Sequence, residues 1–233
     1  MEKTNMIKFY TNHLRNNQQQ CPTDNYLISE VTNIRFLGLE LDNNMNWKNH
    51  VAKILPKLSR ACYAVRAIYS FSSLNALKMI HFSYFHSVIN YGIIFWGNSS
   101  ESNKIFLAKK IVRNITGSRP KTSCKPLFQS LGIVTITSKY ILSLMKFLLQ
   151  NQKKFTSNTE VHNINMRNKL KLYKPISNLT LYQKAVYYMN IRIFNKLPDC
   201  IARLVENKRS FISTLRQYLV SKSFYSLEEF SDD

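Results

Sequence analysis

From Trp47 onward, apolar residues recur at three- and four-residue steps, and this spacing constrains the fold more than any other feature of the sequence. The first stripe consists of Trp47, Val51, Ile54, Leu58, Cys62 and Val65. Residues at this spacing share one face of an α-helix, so the stripe predicts an amphipathic helix packed on a core. Asn44 or Asn46 would cap its start, and Pro56 predicts a kink or a break near Leu55.

Two more helical patterns follow in the first half of the chain. A second helix should begin after Ser73 and end near Gly92 or Gly97, because glycine is common where helices stop. Its inward residues are predicted to be Leu74, Leu77, Ile80, Tyr84, Val88 and Tyr91. A third helix should run from about Ser100 to Gly117.

The second half of the chain carries shorter patterns. Ser138 should open a helix from Lys139 to Leu149, which is apolar nearly all round and is therefore predicted to be buried. Helices are also predicted from Leu181 to Asn195 and from Ser210 to Val220. Residues 226–229 have the pattern of a capping box.

The N-terminal residues have a different pattern, typical of strands. Met6 to Tyr10 and Ile34 to Leu41 are short and rich in β-forming residues. They predict a half-buried antiparallel pair. The predicted fold class is therefore mainly α, with a small N-terminal β element.

The charge is strongly positive, with 33 Lys and Arg against 13 Asp and Glu and a net charge of +20. Between Asn43 and Pro198, Glu101 and Glu160 are the only acidic residues. Such a surface repels itself unless a polyanion neutralises it, and nucleic acid is the natural candidate. An anionic membrane surface is the competing partner. It would bind a basic amphipathic helix with an exposed apolar face, and because the apolar faces of this chain are needed for the core, we expect no membrane partner.

The third predicted helix organises this charge on one side. Its apolar residues, Ile105, Leu107, Ala108, Ile111, Val112 and Ile115, share one face. Lys109, Lys110 and Arg113 share the opposite face, and Arg119, Lys121 and Lys125 continue the basic run. A solvated face normally mixes both signs, so we interpret this one as a phosphate-binding surface.

The residues needed for catalysis are missing from the sequence. Polymerases and most nucleases hold two metal ions with clustered carboxylates, and the helical region has no such cluster. The glycines are isolated, which argues against phosphate loops. The four cysteines, at 21, 62, 124 and 200, are too widely spaced for a zinc site. We therefore predict no metal, no cofactor and no enzymatic activity of the chain on its own.

Nothing in the sequence predicts secretion or a membrane span. The N-terminus is polar, and the longest apolar stretch, Tyr84 to Trp96, is interrupted by His86, Ser87 and Asn90. We expect an intracellular protein, in the nucleus or in a cytoplasmic ribonucleoprotein.

Several short motifs, in this order, resemble the region after the catalytic motifs in jockey-type non-LTR (LINE-type) retrotransposon reverse transcriptases. They are Phe36-Leu37-Gly38, Leu41-Asp42, Trp47, His50-Val51, Lys57-Leu58, the run from Tyr84 to Gly97, Lys109-Lys110 with Arg113, Cys124 to Phe128, Asn195 to Pro198, and Phe224 to Ser226 with Glu229-Phe230. Each motif alone is weak, but their order is specific, and they extend over essentially the whole chain.

The resemblance implies a function. Phe36, Leu37 and Gly38 would form the primer grip at the end of the palm (1–43), and a helical thumb (44–150) would close over the template–primer duplex. A polar linker (151–176) and a basic helical C-terminal region (177–233) would follow. Nucleic-acid contacts would come from Lys109, Lys110, Arg113, Arg119, Lys121, Lys125 and Arg167.

The expected role is therefore non-catalytic binding of an RNA–DNA hybrid or duplex, because the Tyr-Ala-Asp-Asp motif of the catalytic palm is absent. The missing palm portion would be a second partner. The alternative is a degenerate or domesticated structural or interaction protein that no longer binds nucleic acid.

Overall fold

The chain is mainly helical and begins with two small pairs of strands. A computed structural model describes residues 5–9, 29–162 and 171–232. It contains 63% helix and 7% strand, which confirms the predicted mainly α class with a small antiparallel hairpin near the N-terminus.

The strands pair differently from the prediction. Strand β1 (Asn5–Met6) lies parallel to β2 (Ser29–Glu30), whereas β3 (Asn33–Phe36) is antiparallel to β4 (Leu39–Asp42). The predicted pairing of Met6–Tyr10 with Ile34–Leu41 is therefore wrong, since the second segment folds back on itself; Tyr10 lies outside the described residues. Leu37 and Gly38 both have positive φ, at 46° and 80°, which is the backbone of a tight hairpin turn.

Thirteen helices of the described residues follow the hairpin. They are α1 (Lys48–Ile68), α2 (Leu74–Ile80), α3 (Ser87–Asn90), α4 (Ile93–Trp96), α5 (Leu107–Thr116), α6 (Lys125–Leu131), α7 (Ile136–Gln150), α8 (Asn158–His162), α9 (Thr180–Gln183), α10 (Val186–Phe194), α11 (Asp199–Ala202), α12 (Lys208–Lys222) and α13 (Leu227–Ser231). Single turns of 3-10 helix occur at Tyr69–Phe71, Ser100–Lys104 and Gln152–Lys154, and a π-helical segment, His81–His86, joins α2 to α3.

Helix α1 buries the predicted stripe in full. It continues through Pro56, so the predicted break is absent. Pro56 and Ala52 both lie on the exposed side of the helix. The carbonyl group that proline leaves without a donor therefore faces solvent, where water can satisfy it.

The start of α1 is fixed by Asp42 rather than by an asparagine alone. The Asp42 carboxylate accepts hydrogen bonds from the backbone amides of Asn44, Asn46 and Trp47, at 3.0–3.1 Å. The predicted cap, Asn46, contributes one bond, in which its Oδ1 accepts from the Lys48 amide at 2.8 Å. Asp42 is the last residue of β4, so it joins the hairpin rigidly to the helix.

The second predicted helix has the expected start but a different inward face. Ser73 caps α2 by accepting a hydrogen bond from the Ala76 amide at 3.3 Å. The buried residues, however, are Leu77, His81, Phe85 and Ile89. Leu74, Tyr84 and Tyr91 are exposed, and Ile80 and Val88 are half-buried. The π-helical segment has more residues per turn than an α-helix, and it therefore rotates the following residues away from the predicted face.

The later helices differ from prediction mainly at their ends. Helix α7 is buried as predicted, but Thr135 is its cap, with Oγ1 accepting from the Ser138 amide at 3.1 Å. The pattern from Leu181 to Asn195 forms two helices, α9 and α10, instead of one. Helices α6 and α11 were not predicted. The Ser226 cap is confirmed, with Oγ accepting from the Glu229 amide at 3.1 Å.

The buried side chains form a continuous core that extends from Trp47 to Phe230. Helix α1 packs on α5, and α7 packs on α4, α10 and α12. The core thus holds α5 and α7 in fixed positions, and these two helices carry the basic side chains described next.

Candidate nucleic-acid interface

The predicted basic face of α5 forms, but its cations have different environments. The helix buries Ile111, Val112 and Ile115 and exposes Lys110, while Lys109 and Arg113 are half-buried. Gly117 ends the helix with a φ of 63°, a conformation that favours glycine.

Two of the predicted lysines contact the C-terminal region. The Lys109 Nζ lies 4.0 Å from the centroid of the Tyr225 ring, and the Lys125 Nζ lies 5.4 Å from it. Lys125, in the first turn of α6, also forms an ion pair with Glu229. A cation on an aromatic face or beside a carboxylate is already partly neutralised. These two lysines therefore contribute more to docking residues 225–229 than to a free binding surface.

Arg113 is also engaged within the fold. Its Nε and Nη2 atoms donate hydrogen bonds to the backbone carbonyl of Thr122, at 3.0 and 2.9 Å. This pair of bonds fixes the loop after α5. Arg119 and Lys121 are exposed on that loop and extend the basic surface beyond the helix.

A groove runs beside α5 and has a volume of about 660 Å³. We call it the α5 groove, and its lining consists of Arg66, Tyr69, Phe106, Leu107, Lys110, Arg113, Asn114, Gly117, Ser118 and Pro120. Arg66 and Lys110 are exposed, and no acidic side chain is among the lining residues. Arg66 and Tyr69 were not predicted, because they belong to the end of α1 and to the turn after it.

A second groove, of about 440 Å³, lies beside the hairpin turn. We call it the hairpin groove, and its lining consists of Leu37, Leu39, residues 90–95, Lys139, Ser143, Lys146, Phe147 and Gln150. Lys139, Ser143, Lys146 and Gln150 form a polar stripe along α7, most of whose other residues are apolar. That spacing is visible in the sequence and is the signal that could have identified these residues.

Of the predicted primer-grip residues, Leu37 lines the hairpin groove, and Phe36 and Gly38 lie beside it in the same turn. Leu37 is 73% exposed at the turn, and Phe36 beside it is 58% exposed. The Tyr91 hydroxyl donates a hydrogen bond to the Leu37 carbonyl. A Cβ atom at Gly38 would lie 3.3 Å from the Tyr91 hydroxyl oxygen, so glycine allows this close approach.

Two of the motifs in the family resemblance, His50-Val51 and the run from Tyr84 to Gly97, meet at the base of the hairpin. A Cβ atom at Gly92 would lie 2.7 Å from the Leu39 side chain, so this turn packs directly on β4. The Trp96 Nε1 donates to the Tyr91 carbonyl at 3.0 Å. The His50 ring lies 5.8 Å from the Trp96 ring, and its Nδ1 accepts from the Glu40 amide at 3.4 Å. Residues that are far apart in sequence thus form one structural unit.

Lys139 has an unusual environment in the hairpin groove. It is only 7% exposed, and none of the ion pairs in the described part of the chain includes it. Burial, together with the positive charges of Lys146 and Arg216, lowers the pKa of Lys139 to about 8. Burial and the same three cations also lower the pKa of His86 to about 4. A buried cation beside other cations is unfavourable, and an anion bound in the groove would relieve that cost.

No family model, curated protein or solved structure matches this chain.

The described residues contain no group of three or more His, Cys, Asp or Glu side chains that could hold a metal ion. Within the same residues no single helix is long and apolar enough to cross a membrane; α6 and α7 meet those criteria only together, across a 50° bend. The remaining predicted contact, Arg167, lies outside the described residues.

Proposed function

We propose that this chain is the non-catalytic template–primer-binding part of a non-LTR retrotransposon RNA-directed DNA polymerase. The observation that carries the proposal is the pair of basic grooves, whose cations Arg66, Lys110, Lys139 and Lys146 have no ion-pair partner among the described residues. Cations without internal partners can bind the phosphates of a nucleic-acid backbone and release its counterions.

The chemistry of the grooves favours binding to the backbone without reading sequence. Lysine and arginine on a surface contact phosphates, which position a duplex but carry no sequence information. The hairpin turn beside Lys139 and Lys146 corresponds, through the family resemblance, to a primer grip. Its exposed residues Phe36 and Leu37 would contact the palm portion of the polymerase, the second partner in this proposal.

The proposal is tested by filter binding of an RNA–DNA hybrid with a single-stranded extension, in two unrelated sequences, over a series of salt concentrations. We expect equal affinity for both sequences and a steep loss of affinity with salt. A variant with R66Q, K110Q, K139M and K146Q should reduce the slope of log affinity against log salt by about 3 to 4, since each phosphate contact contributes about 0.9 on duplex DNA.

A control variant with the same change in net charge distinguishes phosphate binding in the grooves from general electrostatic attraction to the protein. Lys153, Lys154, Lys208 and Arg209 are exposed and line neither groove. Replacing all four with Gln should change the slope much less. If the slope fell equally in the groove variant and in the control variant, binding in the grooves would be contradicted. A parent chain that binds neither hybrid would instead favour the alternative, a structural or interaction protein.

A further inference from the structure

The α5 groove has two exposed aromatic rings. Binding of a duplex backbone to the groove would not explain why they are there. Phe106 is 70% exposed and Tyr69 is 43% exposed, and both line the groove together with Arg66 and Lys110. Exposing large aromatic surface to water is unfavourable, so rings that line a concave site commonly bind a ligand there. The question is which ligand uses both rings and cations.

We propose that the α5 groove binds an unpaired nucleotide of the single-stranded nucleic acid next to the bound duplex, with its base on Phe106 and Tyr69 and its phosphate at Arg66 and Lys110. This inference rests on the proposed function and names the part of the nucleic acid that this groove takes. Within a duplex each base is stacked between its neighbours and cannot present its flat face to a side chain. An unpaired base can, and stacking on aromatic residues tolerates any sequence.

The charge of the groove supports an anionic ligand. Arg66 and Lys110 form none of the ion pairs in the described part of the chain, and no carboxylate lines the groove. Arg113 donates to the Thr122 carbonyl, but its positive charge still lies in the groove wall. The volume of about 660 Å³ lies within the usual range of small-ligand sites.

The groove is held in shape before any ligand binds. The Asn114 Nδ2 donates to the Cys62 carbonyl at 3.0 Å, which joins α5 to α1 on either side of the groove. Gly117 accommodates the Tyr69 ring, because a Cβ atom at this position would overlap the Tyr69 hydroxyl. A rigid site loses less entropy on binding than one that must first be ordered.

The test compares a blunt RNA–DNA hybrid with the same hybrid carrying a five-nucleotide single-stranded extension, once of DNA and once of RNA. At one fixed salt concentration, the parent should bind at least one extended hybrid more tightly than the blunt one, by about 5- to 100-fold for a single stacked base. A 2-aminopurine base in the extension should lose fluorescence on binding, since stacking quenches it. The two extensions distinguish DNA from RNA as the source of the nucleotide.

Phe106→Leu is the decisive variant, because it keeps an apolar side chain at an exposed position and removes only the ring. It should bind the blunt hybrid like the parent and lose most of the advantage of the extension. Phe71→Leu is the matched control, since Phe71 is 91% exposed and lies outside the groove. It should retain the full advantage.

Three results would overturn the inference. Equal binding of blunt and extended hybrids by the parent would refute it and leave the proposed function intact, whereas no binding of either would refute both. An unchanged advantage in Phe106→Leu would show that the ring is not the stacking surface.

Discussion

Replacing Lys139 and Lys146 should weaken nucleic-acid binding without weakening the fold. Lys139 is almost completely buried, and its neighbours Lys146 and Arg216 are also cations. Methionine at position 139 has a similar length and carries no charge, so K139M removes an unfavourable buried cation and should leave the stability unchanged or higher. Gln at position 146 keeps a polar residue on the exposed side of α7.

The expected magnitude follows from counterion release. If each lysine contacts one phosphate, the slope of log affinity against log salt should be smaller in the double variant by about 0.9 per contact, or about 2 in total. Between 50 and 200 mM salt, the parent should therefore lose about tenfold more affinity than the variant. Thermal unfolding in the same buffers verifies that both proteins are folded.

The control pair for this measurement is K153Q with K154Q, which lies just after α7 and removes the same charge. Its slope should remain close to that of the parent. A folded K139M/K146Q variant with the parental slope would refute the assignment of the hairpin groove as a phosphate site. Binding would then have to be assigned to the α5 groove and the loop after it.

Four more results are expected. Affinity for the hybrid should fall as pH rises through about 8, because the folded-state pKa of Lys139 is lowered from 10.5 to about 8 and its charge is lost there; K139M should lack this step, and filter binding between pH 7 and 9 measures it. For the same reason, stability should rise between pH 8 and 10.5. Ile111→Ala should cost about 2–5 kcal/mol in denaturant unfolding through a core cavity, with the salt slope of the folded protein unchanged. The chain should extend no primer on an RNA template with Mg²⁺ or Mn²⁺; extension that survives mutation of every aspartate would contradict this.

The strongest helical periodicities in the sequence predicted the corresponding parts of the fold correctly. The stripe of α1 is buried residue by residue, and α5 and α7 have the predicted buried faces. Regular apolar spacing over several turns is informative because a helix has no other way to bury those residues together. The start of α2 after Ser73 and the Ser226 cap were predicted for a similar reason, since local hydrogen bonds depend only on nearby residues.

The errors occur where the backbone departs from regular geometry. The π-helical segment His81–His86 rotates the inward face of the second predicted helix, and no composition signal marks such a segment. The turn at Leu37-Gly38 divides an apparent strand into a hairpin, although Leu37 must adopt a positive φ that leucine disfavours. Contacts with Tyr91, distant in sequence, hold this turn in place.

The candidate site could be predicted only in part. The basic face of α5 is visible in the sequence, but the partners of its cations are not, because Tyr225 and Glu229 lie more than one hundred residues further along the chain. Arg66, Tyr69 and Phe106 share a groove only because α1 packs on α5. Burial of α7 was predicted, whereas the absence of an anionic partner for Lys139 depends on the tertiary structure.

A chain with so few acidic residues cannot pair most of its cations. The cations that do form an ion pair or a hydrogen bond within the fold are therefore informative. Lys53 pairs with Glu40, Lys125 pairs with Glu229, and Arg113 donates to a backbone carbonyl. These contacts join the hairpin to α1, the C-terminus to α6, and the loop to α5, which are structural roles. Among the cations that form no ion pair in the described residues, Arg66, Lys110, Lys139 and Lys146 lie in two grooves with exposed aromatic or apolar walls. Under the proposed function, the position of these four residues in the grooves, rather than their place on a helical wheel, is the reason to expect that they bind phosphate.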